Sequence, residues 1–305
     1  NKPLHWMVEA VSADSKTLFG SQKQTLTFSK DRLQGSIYYW SVDTENIMKF
    51  RMGEDSPIPL FDKDGYPDVP MATKKQVKCT GCHTIAPDGN TMALTFEGKS
   101  YDGRRTGIID VKTPYSPLID PVEEKFYSRF QSFSPDSKYL AINADTYKNI
   151  DIIEAATANV VSNIVTGPAT QPKWSADGKM IAYIKIHSKQ NGNINHDEAY
   201  NRSDMRLATL SGFQSVDDTL LVSGGKEALS DPDFSPDSKN IIFRHAPTGS
   251  IRETNAKLFL YSLDLQTEIE LVNLANNKNQ NDFWPSFSPF PDNDYYWVRD
   301  KTDKF

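Results

Sequence analysis

Phe133-Ser134-Pro135-Asp136-Ser137-Lys138-Tyr139-Leu140-Ala141-Ile142 is the stretch on which the fold turns. An aromatic residue ends one strand, Ser-Pro-Asp-Ser makes a tight turn, and an apolar run returns as the next strand. Proline presets one dihedral of the turn, and the aspartate bonds its own backbone further on. The pattern recurs along the chain. Ile85-Ala86-Pro87-Asp88-Gly89 leads into Met92-Ala93-Leu94, Trp174-Ser175-Ala176-Asp177-Gly178 into Ile181-Ala182-Tyr183, and Phe234-Ser235-Pro236-Asp237-Ser238 into Ile241-Ile242-Phe243. Phe287-Ser288-Pro289-Phe290-Pro291-Asp292 begins a degenerate further copy, followed by Tyr295-Tyr296-Trp297-Val298. Two weaker strands follow a copy, at 149–153 and 160–165, and again at 257–263 and 268–272. Four strands per copy, repeated, is the pattern of a β-propeller blade. No segment has the period of an amphipathic helix, so the expected fold class is all-β.

Directly ahead of the first copy stands Cys79-Thr80-Gly81-Cys82-His83, which reads C-x-x-C-H. Two thiols three positions apart can each form a thioether with one haem vinyl group, and the adjacent histidine can supply the proximal nitrogen to iron. The chain has only two cysteines, and both are in this motif. A disulfide framework would need more cysteines at wider spacings, and a structural zinc site would need a second ligand pair. A thioredoxin-like redox pair is the main rival, but it belongs in a βαβ setting that is missing here. The expected cofactor is therefore one covalent haem c, on Cys79, Cys82 and His83.

With 305 residues the chain has room for one large β domain or two domains. A net charge of −6 implies no basic surface, which argues against nucleic acid as a partner. No apolar run approaches the length of a membrane span. No leader is visible at Asn1, so an exported protein is expected to be represented here by a processed or partial chain. Thioether attachment is made outside the cytoplasmic membrane in bacteria, and the expected location is the periplasm, the outer surface or the medium.

Residues 1–29 read differently from the rest. Trp6-x-Val8-x-Ala10, a turn at 12–16, and Thr25-Leu26-Thr27-Phe28 resemble the last strands of a fibronectin-like or immunoglobulin-like domain. The equal alternative is a hairpin packed on the next domain. The domain reading is thus 1–29 for the end of such a domain and 30–305 for the propeller. Ile37-Tyr38-Tyr39-Trp40 forms a strong strand, with shorter ones at 47–51 and 58–61. The loop Asp62-Lys63-Asp64-Gly65-Tyr66-Pro67-Asp68 starts like a calcium loop but lacks the later ligands, and reads as a turn.

The Phe/Trp-Ser-Pro-Asp-Gly/Ser repeats resemble TolB-type propellers over most of 35–299, which implies a β-propeller of about six four-stranded blades. Ser137 and Ser238 replace the glycine of the turn. The motif ahead of one repeat, with Trp284-Pro285 and Tyr296-Trp297, resembles secreted bacterial propeller proteins with a single c-type haem. Aligning the copies sets His83 opposite Gln131, Pro172 and Pro232, where innermost strands are expected to begin. That places the haem on one face of the disc, with the Ser-Pro-Asp-Gly turns on the other.

On that face, His245 and His187 are expected just after second strands and are the candidates for the distal iron ligand. His196 follows them in a long polar loop. Met92 reads as core, Met71 stays possible, and an open sixth position is the further alternative. Arg104 and Arg105 are candidates to pair with haem propionates, and Tyr147 to lie against the ring. The expected function is extracytoplasmic electron transfer, with a redox partner protein or a neighbouring haem domain and possible assembly into an oligomer or filament. The alternatives are a haem-dependent enzyme or gas sensor, and a protein-interaction module with structural haem. No hydrolase motif of the G-x-S-x-G or H-E-x-x-H kind is present.

Overall fold

The computed structural model describes residues 4–7, 9–11, 18–20, 24–26, 35–41, 43–51, 53–61, 77–98, 105–114, 128–144, 149–189, 200–250, 253, 255–271 and 284–287. The chain divides into two units, Asn1–Tyr38 with Lys49–Pro57, and Tyr39–Met48 with Ile58–Phe305. The first holds β1 (Leu4–Trp6), β2 (Glu9–Val11), β3 (Leu18–Gly20) and β4 (Gln24–Leu26). They form a nested antiparallel hairpin, β1 on β4 and β2 on β3.

The second unit is built from blades. Blade 1 draws on β5 (Ser36–Ser41), β6 (Asn46–Arg51) and β7 (Ile58–Pro59), and the division between the units falls within β5 and β6. Blade 2 is β8 (Val77–Ile85), β9 (Thr91–Gly98) and β10 (Arg105–Asp110). Blade 3 is β11 (Gln131–Phe133), β12 (Tyr139–Ala144), β13 (Asn149–Glu154) and β14 (Val160–Thr166). Blade 4 is β15 (Ala169–Trp174), β16 (Met180–Lys189), β17 (Tyr200–Ser211) and β18 (Gln214–Ser223). Blade 5 is β19 (Ala228–Phe234), β20 (Asn240–Ala246), β21 (Lys257–Ser262) and β22 (Thr267–Glu270). In every blade each strand pairs with the next in sequence. The innermost strands touch in succession, β8 on β11, β11 on β15 and β15 on β19.

The core lies between the blades. Ala93 and Ile108 of blade 2 pack with Phe133, Leu140 and Ile142 of blade 3. Ile150 and Ile152 of blade 3 pack with Trp174, Ile181 and Tyr183 of blade 4. Ile184, Met205 and Leu207 of blade 4 pack with Phe234, Ile241 and Phe243 of blade 5. A middle strand therefore has both faces covered, which is why runs such as Ile150–Ile153 are buried continuously instead of alternating.

The all-β propeller stands, and there is no helix among the described residues. The expected six blades are corrected to five among the described residues, and only blades 3, 4 and 5 have four strands. The degenerate copy from Ser288 onward lies outside the described residues. Residues 284–287 form no strand but dock on blade 5, where the Phe287 N–H donates to Asp233 Oδ2 at 2.9 Å.

The turns that define the repeat are built alike. In blade 3, Ser134 Oγ donates to Asp136 Oδ1 at 2.6 Å, and the Lys138 N–H donates to that same oxygen at 3.2 Å. Ser175 with Asp177 and Ser235 with Asp237 repeat the arrangement. The fourth turn residue has left-handed backbone in all four, with φ of 71° at Gly89, 64° at Ser137, 74° at Gly178 and 59° at Ser238.

Candidate functional site

The C-x-x-C-H motif lies inside β8, not ahead of it. Cys79 pairs with Glu97, Thr80 with Phe96 and Gly81 with Thr95, and then the register slips before Thr84 pairs with Ala93. Cys82 and His83 are the two residues of that bulge, and Cys82 has a left-handed φ of 45°. The left-handed residue recurs in blades 4 and 5 and at Trp284, three residues before the aromatic of the copy, as Cys82 is three before Ile85. Gln171 has φ 52°, Asp231 56° and Trp284 49°, and β15 and β19 slip register there as β8 does. Each of those residues precedes a proline, Pro172, Pro232 or Pro285. His83 therefore occupies the proline position of a repeated device.

The bulge also bears on whether the motif fits a haem. In an unbroken strand residues three apart lie on opposite sides of the sheet, which would set the two thiols against each other. A bulge with a left-handed residue breaks that alternation and re-aims the side chains beside it. Cys82 and His83 are both partly exposed. In the chemistry of its donor set, two thiols and an imidazole with Cys82 and His83 on the partly open bulge, the motif is compatible with a covalently attached haem.

The bulges of β8, β15 and β19 are linked to the inner strands of neighbouring blades. Gln131 Nε2 donates to the Cys82 carbonyl at 2.6 Å. Gln171 Nε2 donates to Asp231 Oδ1 at 2.9 Å, and the Asp231 N–H donates back to Gln171 Oε1 at 2.8 Å. Arg244, with no exposed surface, lies close enough to Asp231 for their charges to interact. Blade 1 meets the motif from the other side. The Thr80 N–H donates to the Glu45 carbonyl at 3.2 Å, and Thr80 Oγ1 to Asn46 Oδ1 at 3.3 Å. The indole of Trp40 packs on Gly81, where a Cβ would lie 3.5 Å from Nε1. Neither Trp40 nor Asn46 was singled out as a site residue from sequence.

The expected distal ligands lie on strands. The ladder carries β16 past His187, since Ile186 pairs with Ser203 and Ser188 with Arg202. His245 pairs with Leu229 and Lys257. Both were expected just beyond their strands; the third strands extend far enough to pair with them. His187 Nε2 is 2.6 Å from Asp204 Oδ2, and its side chain is 43% exposed. Burial pushes Asp204 up, but bonds from His187, the Gly224 N–H and Ser223 outweigh it and hold the carboxyl below its ordinary range. His245 Nδ1 is 3.3 Å from Glu227 and its Nε2 3.6 Å from Glu268, with its ring against Phe243 and Phe259. Met92 is fully buried core. His196, Arg104, Met71, Tyr147 and the loop of Asp62, Asp64 and Asp68 lie outside the described residues. Arg105 is described only as a strand residue, paired with Phe96.

A cleft of about 360 Å³ opens among the inner-strand ends of blades 2, 3 and 4, lined by Thr84, Ile85, Phe133, Pro135, Lys173 and Trp174. It lies on the side of the Ser-Pro-Asp-Gly turns.

No family model matches the chain, and no curated protein matches it. Among solved structures it is similar to TolB from Acinetobacter baumannii, at 16% identity and a TM-score of 0.55, over 92% of this chain and 62% of that one. The similarity to Kuenenia stuttgartiensis hydrazine synthase is at 14% identity and a TM-score of 0.44, over 62% and 48% of the two chains. A prolyl endopeptidase is similar at 15% identity and a TM-score of 0.45, over 70% and 33%. The chain thus spans less than two thirds of the length of the TolB it resembles, and the fold is a TolB-like β-propeller.

Proposed function

We propose that this chain is a propeller-borne c-type cytochrome, with one haem held by thioethers to Cys79 and Cys82 and His83 as the proximal ligand. The observation that carries the reading is that both cysteines of the chain and an adjacent histidine stand as C-x-x-C-H on an innermost strand, with Cys82 and His83 on a partly open bulge of it. When bound, the haem iron supplies a one-electron couple. The protein's own part is a rigid frame. Thr80 is tied to Glu45 and Asn46, and the Cys82 carbonyl to Gln131, so the strand that bears the ligands has little freedom to move when the iron changes charge.

His187 is the better distal ligand of the two described candidates. It bonds Asp204 through Nε2 and so leaves Nδ1 to ligate, with a carboxylate behind it as metal-bound histidines commonly have. His245 has a glutamate near each ring nitrogen. His196 is a further proposed candidate for the iron, and Arg104 and Arg105 are proposed partners of the propionates. The protein works outside the cytoplasm and passes electrons to a partner protein or a neighbouring haem domain, in an oligomer or filament where such units associate. The nested hairpin of the first unit is the closing pair of an immunoglobulin-like domain.

Visible absorption of the purified, exported protein, oxidised and reduced, with and without carbon monoxide, tests this. Low-spin bands indifferent to carbon monoxide are expected in the wild type, and none in Cys79→Ser/Cys82→Ser. Bands that shift with carbon monoxide would turn the reading to a haem-dependent enzyme or gas sensor. Absence of bands from the wild type would leave the second reading, an interaction module.

A further inference from the structure

Two residues separate the cysteines of the motif, and blade 1 engages both. Thr80 is fully buried and tied by backbone and side chain to Glu45 and Asn46. Gly81 is where a ring meets the motif. A Cβ there would lie 3.5 Å from Nε1 of Trp40, 3.7 Å from Cδ1 and 3.9 Å from Cε2. The indole thus faces Gly81 with room for a Cβ and nothing larger between them, while 38% of Trp40 is still open to solvent. A large aromatic side chain that packs on a ligand-bearing loop and keeps an open surface is poised for a further apolar contact. A macrocycle joined to both cysteines presents its thioether edge to the two residues between them.

We infer that Trp40 is the wall of the haem site, its indole lying against the thioether edge and shielding it from water. This rests on the cytochrome reading above. Trp40 is a positioning residue: it packs on the loop that holds the macrocycle and lowers the polarity around it, and burial is one of the levers a protein has on haem potential. A wet edge favours the more highly charged oxidised state, so loss of the ring lowers the midpoint potential.

The test is tryptophan emission and redox titration. Haem absorbs where indole emits, so a ring in contact with it is dark. Trp40→Phe leaves the emission of the haem protein nearly unchanged. In Cys79→Ser/Cys82→Ser, which attaches no haem, it removes about a fifth of the emission, since Trp40 is one of five tryptophans. Trp40→Ala lowers the midpoint potential and Trp40→Phe restores most of it. Gly81→Leu pushes the ring aside and reproduces Trp40→Ala with the ring still present. The same fractional loss of emission with and without haem, or a potential indifferent to Trp40→Ala and Gly81→Leu, overturns the assignment of Trp40 alone. A wild-type protein without haem bands overturns the cytochrome reading and this inference together.

Discussion

Ser137 and Ser238 hold backbone angles that favour glycine, and their hydroxyls explain why serine is there. Ser137 Oγ accepts the N–H of Asp88 at 3.0 Å, and Ser238 Oγ that of Asp177 at 3.1 Å. Each bond joins a turn to the turn of the preceding blade. Left-handed backbone costs a residue with a Cβ about 1–2 kcal/mol, and a hydrogen bond contributes about 0.5–1.5 kcal/mol net, so the two nearly cancel. Ser238→Gly is expected to leave stability almost unchanged, because it removes strain and bond together. Ser238→Ala keeps the strain and loses the bond, and should cost about 1 kcal/mol in urea unfolding. A Ser238→Ala variant as stable as the wild type would show that the bond contributes nothing. The serine at these positions was legible as a departure from the repeat; its partner was not, since it belongs to another blade.

The tight turn depends on its aspartate as an ionised acceptor. The Ser235 hydroxyl and the Lys239 N–H hold the Asp237 carboxyl below its ordinary value of 3.8. Burial pushes Asp136 up, but the bond from Ser134 and those that accompany it bring that carboxyl below 3.8 as well. A carboxyl depressed in the folded state stabilises it above the unfolded pKa, and that contribution is lost as pH falls through the lower folded value. Wild-type stability should therefore drop as pH falls below 3.8, and Asp237→Asn should be less stable at neutral pH but lose less on acidification. Urea midpoints between neutral and acidic pH measure the difference; parallel curves would remove Asp237 from the account. The inner-strand bulge is the second recurring element. Its proline signature, at Pro172, Pro232 and Pro285, can be aligned from sequence once the turns are in register. The left-handed backbone before it cannot, because Cys82, Gln171, Asp231 and Trp284 share no side-chain chemistry that announces it.

Neighbouring blades are joined through polar and charged groups as well as apolar faces. Asp231 accepts Gln171 of blade 4, lies near the buried Arg244 of its own blade, and is bonded by the backbone of Trp284. Lys173 reaches Asp233 at 2.8 Å, and Asp233 in turn receives Ser286 and Phe287. The Arg244 guanidinium itself bonds Ser230 Oγ and the carbonyls of Ser250 and Glu253, so what Asp231→Ala removes is the buried acceptor of Gln171. That should cost about 1–3 kcal/mol, as a buried amide left without its partner does, and Asp231→Asn less. Thermal unfolding checks this, and an Asp231→Ala variant as stable as the wild type would remove the Gln171 bond from the account.

The blades were legible because their turns are local. Pro135, Asp136 and their counterparts bend the chain whatever lies beyond, and the apolar runs on either side state that strands return from them. The C-x-x-C-H motif was legible for the same reason, since its chemistry lies within five consecutive residues. What neighbours bring to it was not. That Trp40 would lie on Gly81, that β16 would run on through His187 to meet Ser203 and Arg202, and that His83 would stand on a bulge follow from how sheets pack and pair. A middle strand in this fold has both faces buried by neighbouring blades, so its length, register and neighbours are set by contacts far away in the chain, which no local pattern records.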